Sequence, residues 1–379
     1  MSRKAPMKVL HVITGLDAGG AELQLAMLVQ RTRHDTDVVA LYNAGPVADM
    51  IRSAGVTVLD LGMTSNTELS ALLRLRRIIR AGHYDVVHAH LYRSQIYARP
   101  AAQLAGTPVV LTTEHSIGET HIERRKMTVG VRALYLASEL FSDATIAVSD
   151  VVRERLVRWG VPASKITVIP NGLDVDRFAF DPGVRERVRA QFGIAPGTYV
   201  IGTVGRLDPM KRVDLTIRAA TPMLGENCKI LVIGPGEDEA RLRDVAGQCG
   251  VTDHVIFGGY HSDTEAMLAA FDLYVAASEQ ETFGLSVLEA LASGLPVLYT
   301  TCPALDGIQT EWARRVEGTA AALGAEIRKE VESGPRQRTV DAKVFDRYGI
   351  AAVAGAVDDL YERLADRRPR RSRAHAGRR

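Results

Sequence analysis

Short apolar runs rich in β-branched residues alternate along the chain with longer stretches whose apolar positions recur every three or four residues. Residues 9–13, 38–41, 56–59, 86–89, 109–112, 145–148 and 166–169 are of the first kind. Residues 22–31, 69–80 and 151–159 are of the second kind. Within 69–80, Leu72, Leu75, Ile78 and Ile79 share one helical face and Arg74, Arg77 and Arg80 the other. Strands that are apolar throughout, separated by amphipathic helices, predict a parallel sheet covered on both faces. A turn-rich stretch follows, Pro170-Asn-Gly-Leu-Asp174 and then Asp181-Pro-Gly183. The rhythm then restarts, with strands expected at 199–203, 230–233, 255–257, 273–276 and 297–299. The pattern predicts two α/β doubly wound parallel-sheet domains in tandem, 1–172 and 173–345. A last helix follows within 346–364, and then a tail, 365–379. Open sheets of this kind bind ligands at the carboxyl ends of their strands, so two facing each other would enclose a cleft.

Composition narrows the function. The 379 residues are 46% hydrophobic, 24% charged and only 6% aromatic, too few rings for wide stacking on single-stranded nucleic acid. Seven arginines against one aspartate give residues 366–379 a local +6, so a chain of net +2 carries −4 elsewhere. An acidic body argues against nucleic acid as partner. Cys228, Cys249 and Cys302 are odd in number and lack CxxC spacing, which disfavours a disulfide framework or a zinc site and fits a reducing cytoplasm. No signal-peptide core opens the chain, and the most apolar stretch, 129–148, is interrupted by Arg132, Glu139 and Asp143. The arginine-rich tail reads as disordered, with weak peripheral attraction to an anionic inner membrane face as the sharper idea, at up to ~1 kcal/mol per residue.

The richest segment is Glu281-Thr-Phe-Gly-Leu-Ser-Val-Leu-Glu289. A polar stretch runs into Phe283-Gly284, and a helical pattern begins at Leu285. Gly284 allows close backbone approach, and the first N–H groups of the helix make an anion site suited to a diphosphate. Glu281 lies just before that site and Glu289 a little over a turn inside the helix. One anion site between two carboxylates suits a ligand with phosphates in its middle and hydroxyl-rich ends, as in a nucleotide-sugar. Gly205-Arg206-Leu-Asp-Pro-Met-Lys211 follows the first strand of the second domain and offers a guanidinium fork and an ammonium to phosphate. Gly19-Gly20 joins the first strand to the first helix and allows backbone approach to an anionic or sugar group, or is a simple tight turn. Gly234-Pro-Gly236 mimics a dinucleotide fingerprint but has Glu239 where the third glycine belongs, so NAD is not supported. His88, His90 and His115 end strands of the first domain, and each is either a structural histidine or a sugar contact or proton shuttle. Asp174-Val-Asp176 has the DxD form but sits in a turn and reads as structural capping. No ligand spacing supports a metal.

In order, these pieces resemble the retaining nucleotide-sugar glycosyltransferases of family 4, with the GT-B fold of two Rossmann-like domains. The resemblance covers roughly residues 8 to 300 and the last helix, and its most specific part is the E-x7-E segment. It implies that this helix returns to the N-terminal domain. It implies that Glu281 holds hydroxyls of the donor sugar and Glu289 the nucleotide ribose. Arg206 and Lys211 would neutralise the departing diphosphate, and backbone N–H groups of Phe283, Gly284 and Leu285 would bind phosphate or sugar. His115 would sit beside the reacting sugar, Gly19 and Gly20 would line the phosphate and acceptor side, His90 would contact acceptor or sugar, and Tyr260 would lie near the base. The mechanism implied is front-face substitution with retention, without metal or other cofactor, from a nucleotide-sugar donor to a hydroxyl acceptor. The chain departs from the family pattern at Thr301-Cys-Pro-Ala-Leu-Asp-Gly-Ile-Gln-Thr-Glu-Trp312, a region expected to border the donor pocket. Two other classes stay open: another GT-B enzyme such as a sugar-nucleotide epimerase or a phosphorylase, and a non-catalytic nucleotide-sugar-binding protein. The phosphorylase would need a cofactor lysine, and none stands out.

Overall fold

Residues 5–123 and 125–367 are described by a computed structural model. Contacts divide the chain into a first unit, the residues up to Gly172 together with those from Ile350 onward, and a second unit, Leu173–Gly349. The second unit therefore runs four residues past the expected boundary at 345. The arginine-rich tail beyond Arg367 lies outside the described residues.

The first unit is built on seven parallel strands: β1 (Lys8–Ile13), β2 (Asp35–Ala40), β3 (Thr57–Asp60), β4 (Val86–His90), β5 (Val109–Glu114), β8 (Ala144–Ala147) and β9 (Ile166–Val168). Their order is β3-β2-β1-β4-β5-β8-β9, and a short hairpin, β6 (His121–Ile122) with β7 (Arg125–Lys126), follows β5. Alternation along β1 and β4 sorts side chains to two faces. Leu10, Val12, Val87 and Ala89 pack with Leu75, Ile79, Ala98 and Ala101 of the helices Leu69–Gly82 and Tyr92–Ala105. Val9, Val86, Val109 and Leu111 pack instead with Val353, Ala354, Val357 and Tyr361 of the last helix, Ile350–Asp366. Polar bonds fix that helix: Asp358 accepts from Thr32 Oγ1 at 2.6 Å and from the Arg33 N–H at 2.9 Å. Gly172 makes the junction, because a Cβ there would lie 2.5 Å from Ile350 Cδ1. Its N–H and C=O are both held by the Gln24 amide at 2.8 Å.

The Arg99–Glu139 ion pair of this unit is fully buried. The Arg99 guanidinium pairs with Glu139 and donates to Ser138 Oγ and Thr112 Oγ1, each at 2.9 Å. Removing one partner leaves an uncompensated charge in the core, which costs about 3–5 kcal/mol. Glu139→Ala is therefore expected to lower unfolding free energy by that amount in denaturant titration, whereas exposed Glu154→Ala changes it little.

The second unit has six parallel strands: β10 (Tyr199–Val204), β11 (Cys228–Ile233), β12 (Val255–Gly259), β13 (Leu273–Ala276), β14 (Val297–Tyr299) and β15 (Ala313–Arg315), in the order β12-β11-β10-β13-β14-β15. Ile201, Ile230, Val232 and Val275 pack under Ile217, Leu242 and Leu323 from three flanking helices. The apolar pattern missed β15, since Ala-Arg-Arg is polar. It is an edge strand with two exposed arginines, and only its backbone pairing with β14 makes it a strand. Among the described residues no helix is long and apolar enough to cross a membrane.

Candidate active site

The chemistry-bearing side chains of the second unit gather at the carboxyl ends of β10, β11 and β13. The loop after β10 turns at Gly205 and presents Arg206 at the surface. A Cβ on Gly234 would lie 1.9 Å from Gly205 O, and one on Gly236 2.0 Å from Leu207 O. The Leu207 N–H donates to Pro235 O at 2.8 Å and the Gly205 N–H to Ile233 O at 2.9 Å. The Gly-Pro-Gly turn is thus explained by its contact with this neighbouring loop.

Asp208 Oδ1 accepts from the Met210 N–H at 2.9 Å and starts the short 3-10 turn Pro209–Lys211. That turn carries Lys211, whose Nζ donates to Glu281 Oε1 at 2.6 Å. Glu281 arrives from the loop after β13, which the Glu279 N–H ties to Met210 O at 2.9 Å. The expected phosphate-binding cation and sugar-binding carboxylate are therefore direct partners, each orienting the other. Arg206, Lys211, Ser278 and Ser286 line one pocket with Thr203, Gly205 and Tyr274.

Gly284 precedes the helix Leu285–Ala292 with φ +100°, a left-handed conformation that favours glycine. A Cβ there would also lie 2.5 Å from Cys302 Sγ. Phe283 is buried edge-on to Tyr348, with ring centroids 5.5 Å apart, and its carbonyl accepts from the Ala304 N–H at 2.9 Å. The Val287 and Leu288 N–H groups both bond Gly284 O, at 3.1 and 3.3 Å, which leaves those of Leu285 and Ser286 ahead of the ladder, as an anion site requires. Glu289 lies one turn on and is half-buried; burial pushes its carboxyl up to about 7, against the opposing pull of Arg177.

The divergent stretch 301–312 splits in two. Thr300 Oγ1 donates to Ser278 O at 2.6 Å, and Cys302 and Ala304 brace Phe283–Gly284 from behind. Trp312, by contrast, accepts through its carbonyl from the Val297 N–H and so stands at the amino-terminal ends of β14 and β15. Glu311 and Trp312 do not border the pocket of Arg206 and Lys211, where the donor was expected, because the segment crosses from one end of the sheet to the other. Tyr274 went unnoticed in the sequence: its hydroxyl donates to Val204 O at 3.1 Å and also bonds Ser286, joining β10 to the start of the helix from Leu285. Tyr260 is half exposed just past β12.

In the first unit, Gly19 is extended, so its backbone angle does not demand glycine. It starts the helix Gly20–Val29, and the Glu22 carboxylate folds over it. His88 and His90 fall on the β4 face that also carries Val86, and His11 is the register partner of His88. All three are fully buried there. The direct acceptor or sugar contact expected of His90 gives way: one ring nitrogen meets His11 and the other meets His115. His88 is a structural histidine, bonded to Tyr361 and Thr113. His115, half-buried after β5, is the outermost of the four; burial pushes its ring down to about 4, so it is neutral near pH 7.

A tandem of doubly wound sheets whose second member concentrates a lysine–carboxylate pair, an arginine and a helix N-terminus defines a GT-B glycosyltransferase. Two family profiles match, Glycosyltransferase Family 4 over residues 18–177 and Glycosyl transferases group 1 over residues 184–341. The chain belongs to the family 4 glycosyltransferases and takes its sugar from a nucleotide-sugar. It is 28% identical over 348 residues to a D-inositol 3-phosphate glycosyltransferase of Salinispora arenicola, covering 80% of this chain and 75% of that protein. It is 25% identical over 312 residues to the Escherichia coli UDP-Gal:alpha-D-GlcNAc-diphosphoundecaprenol alpha-1,3-galactosyltransferase, covering 78% and 80%. The solved structure of Anabaena HepE in complex with UDP and glucose shares the fold, with a TM-score of 0.76, 20% identity and coverage of 95% and 97%. A glycosyltransferase from Rickettsia africae does so with a TM-score of 0.78, 17% identity and coverage of 96% and 100%.

Proposed function

We propose that this chain moves a hexose from a UDP-sugar to a hydroxyl acceptor with retention at the anomeric carbon and without a metal. The observation that carries the reading is the Lys211–Glu281 pair beside Arg206 at the mouth of the helix from Leu285. Lys211 and Arg206 supply the countercharge that a departing diphosphate needs. Glu281 directs Lys211 and offers its other oxygen lone pairs to sugar hydroxyls. The C1–O bond to the β-phosphate breaks, the acceptor oxygen bonds C1 on the same face, and the acceptor proton passes to the leaving phosphate oxygen. Positioning and electrostatic stabilisation of that leaving group supply the catalysis. His115 would stand beside the reacting sugar, as the family pattern implies. UDP is favoured because HepE was crystallised with it and the Escherichia coli relative is named for it. The two relatives' named acceptors both carry phosphate, which makes phosphorylated alcohols the first to supply.

The test is a reaction with UDP-glucose or UDP-galactose and such acceptors in EDTA, with the product's anomeric configuration read by NMR. An α-glycoside from the α-linked donor is expected. An inverted product, or a strict need for Mn²⁺, overturns the reading, and isomerised donor without a glycoside identifies an epimerase.

Glu289 makes a pH prediction. Ribose hydroxyls donate to the ionised carboxylate, so binding favours loss of the proton that burial retains up to about pH 7. UDP affinity is expected to rise from pH 6 to pH 8 and to fall below pH 7 by up to about tenfold per unit. Calorimetry in buffers of different ionisation enthalpy should register a proton released on binding at pH 6.5. Glu289→Gln should abolish both the slope and the release.

A further inference from the structure

Histidines of the first unit form a connected series, of which the proposed reaction uses only His115. His11 Nδ1 is 3.0 Å from His90 Nε2, and His90 Nδ1 is 3.4 Å from His115 Nε2. The His115 ring also hydrogen-bonds the Asn171 side chain. At the inner end, His11 Nε2 is buried without a partner.

Nitrogens of His11, His88 and His90 lie within 4.8 Å of one another, which invites a metal reading. Two observations oppose it. The group holds no carboxylate or thiolate, so its ligands would bring no charge to compensate a divalent ion there. His88 is also committed, with Nδ1 and Nε2 each 2.7 Å from a hydroxyl, those of Tyr361 and Thr113.

Hydrogen bonding between neutral rings needs one donor and one acceptor at each junction, and each neutral ring has one of each. The orphan at His11 Nε2 sets the direction, because a buried donor without an acceptor is rarer and less tolerated than an acceptor without a donor. The His11 proton therefore sits on Nδ1 and points at His90 Nε2. His90 must then carry its own proton on Nδ1, pointing at His115 Nε2. His115 in turn is left with its proton on Nδ1, and Asn171 can accept through its side-chain oxygen.

We propose that His11 and His90 are positioning residues for His115: they form a one-directional chain, His11 Nδ1–H to His90 Nε2 and His90 Nδ1–H to His115 Nε2, that fixes His115 in its Nδ1–H tautomer. The role in sugar transfer rests on the reading of His115 given above, but the chain itself does not. His115 then works as an oriented dipole whose Nε2 is occupied, and it carries no proton to or from the acceptor.

The test is two-bond ¹H–¹⁵N correlation of the imidazoles in the full-length protein at pH 7, with signals assigned by single substitutions. His11, His90 and His115 are each expected as the Nδ1–H tautomer. A His115 proton on Nε2, an imidazolium at pH 7, or joint shifts of all three rings on adding one equivalent of Zn²⁺ overturns the proposal. His11→Asn keeps a donor near the place of Nδ1, whereas His11→Phe keeps ring volume without one. His11→Phe should give His115 mixed tautomers and lower kcat about tenfold at unchanged UDP affinity, and His11→Asn should restore both. An unaltered His115 signal in a folded His11→Phe protein, or equal loss in both variants, overturns the chain. The tautomers of the unmodified protein are read without substrate, so they decide the chain even if either variant fails to fold. Expected tautomers in a protein that transfers no sugar would sink the transfer reading alone.

Discussion

Glu281→Ala is expected to lower kcat/KM for sugar transfer by about 10²–10³-fold, with thermal unfolding and circular dichroism close to those of the unmodified protein. Two losses add. The donor sugar loses a carboxylate acceptor for its hydroxyls, and Lys211 loses the partner that holds Nζ at 2.6 Å beside the pocket. Lys211→Ala should lose a comparable factor, and the double variant should lose much less than the product of the two, since the pair acts as one unit. Steady-state kinetics on the four proteins measures this coupling. Near-normal turnover by Glu281→Ala would remove the donor site from this loop, and fully additive losses would mean that the ion pair has no part in transfer.

The second large effect belongs to Gly284. Its φ of +100° is costly for any side chain, by about 1–2 kcal/mol. The added Cβ would meet Cys302 Sγ at 2.5 Å, and overpacking of that kind costs a further 1–3 kcal/mol or so. Gly284→Ala is expected to lower the unfolding temperature by about 5–15 °C and to weaken UDP binding more than tenfold, because the N–H groups of the helix from Leu285 move with the backbone. Adding Cys302→Ala should recover the steric part and leave the conformational part. Calorimetric unfolding and UDP titration of both variants check this. A Gly284→Ala protein with unchanged stability and affinity would show that neither the conformation nor the contact is needed.

The segment 301–312 shows where sequence reasoning reached its limit. Its departure from the family pattern was visible, and its consequences were not. Cys302 earns its place through van der Waals contact with Gly284, a residue 18 positions earlier. Trp312 is removed from the pocket of Arg206 and Lys211 only because β15 pairs with β14 as an edge strand, which the residues Ala-Arg-Arg do not announce. His90 is a similar case. The alternation in Val86-Val-His-Ala-His90 was enough to place both histidines on one face. That this face is the one sealed by the helix Ile350–Asp366, more than 250 residues later, was not contained in that alternation.

The sequence by itself determined the two doubly wound sheets, because strand and helix periods and the turn chemistry between them are local properties of the chain. It also laid out the order of the candidate site's parts, since a glycine before a helix and cations after a strand have meaning within a few residues. Only the tertiary structure decided which of those parts touch. Strand order and helix packing bring Lys211 to Glu281, Cys302 to Gly284 and His11 to His90 across 70, 18 and 79 positions. Contacts of 2.6–3.9 Å between residues so far apart arise from how the sheets are wound, and no local pattern encodes them.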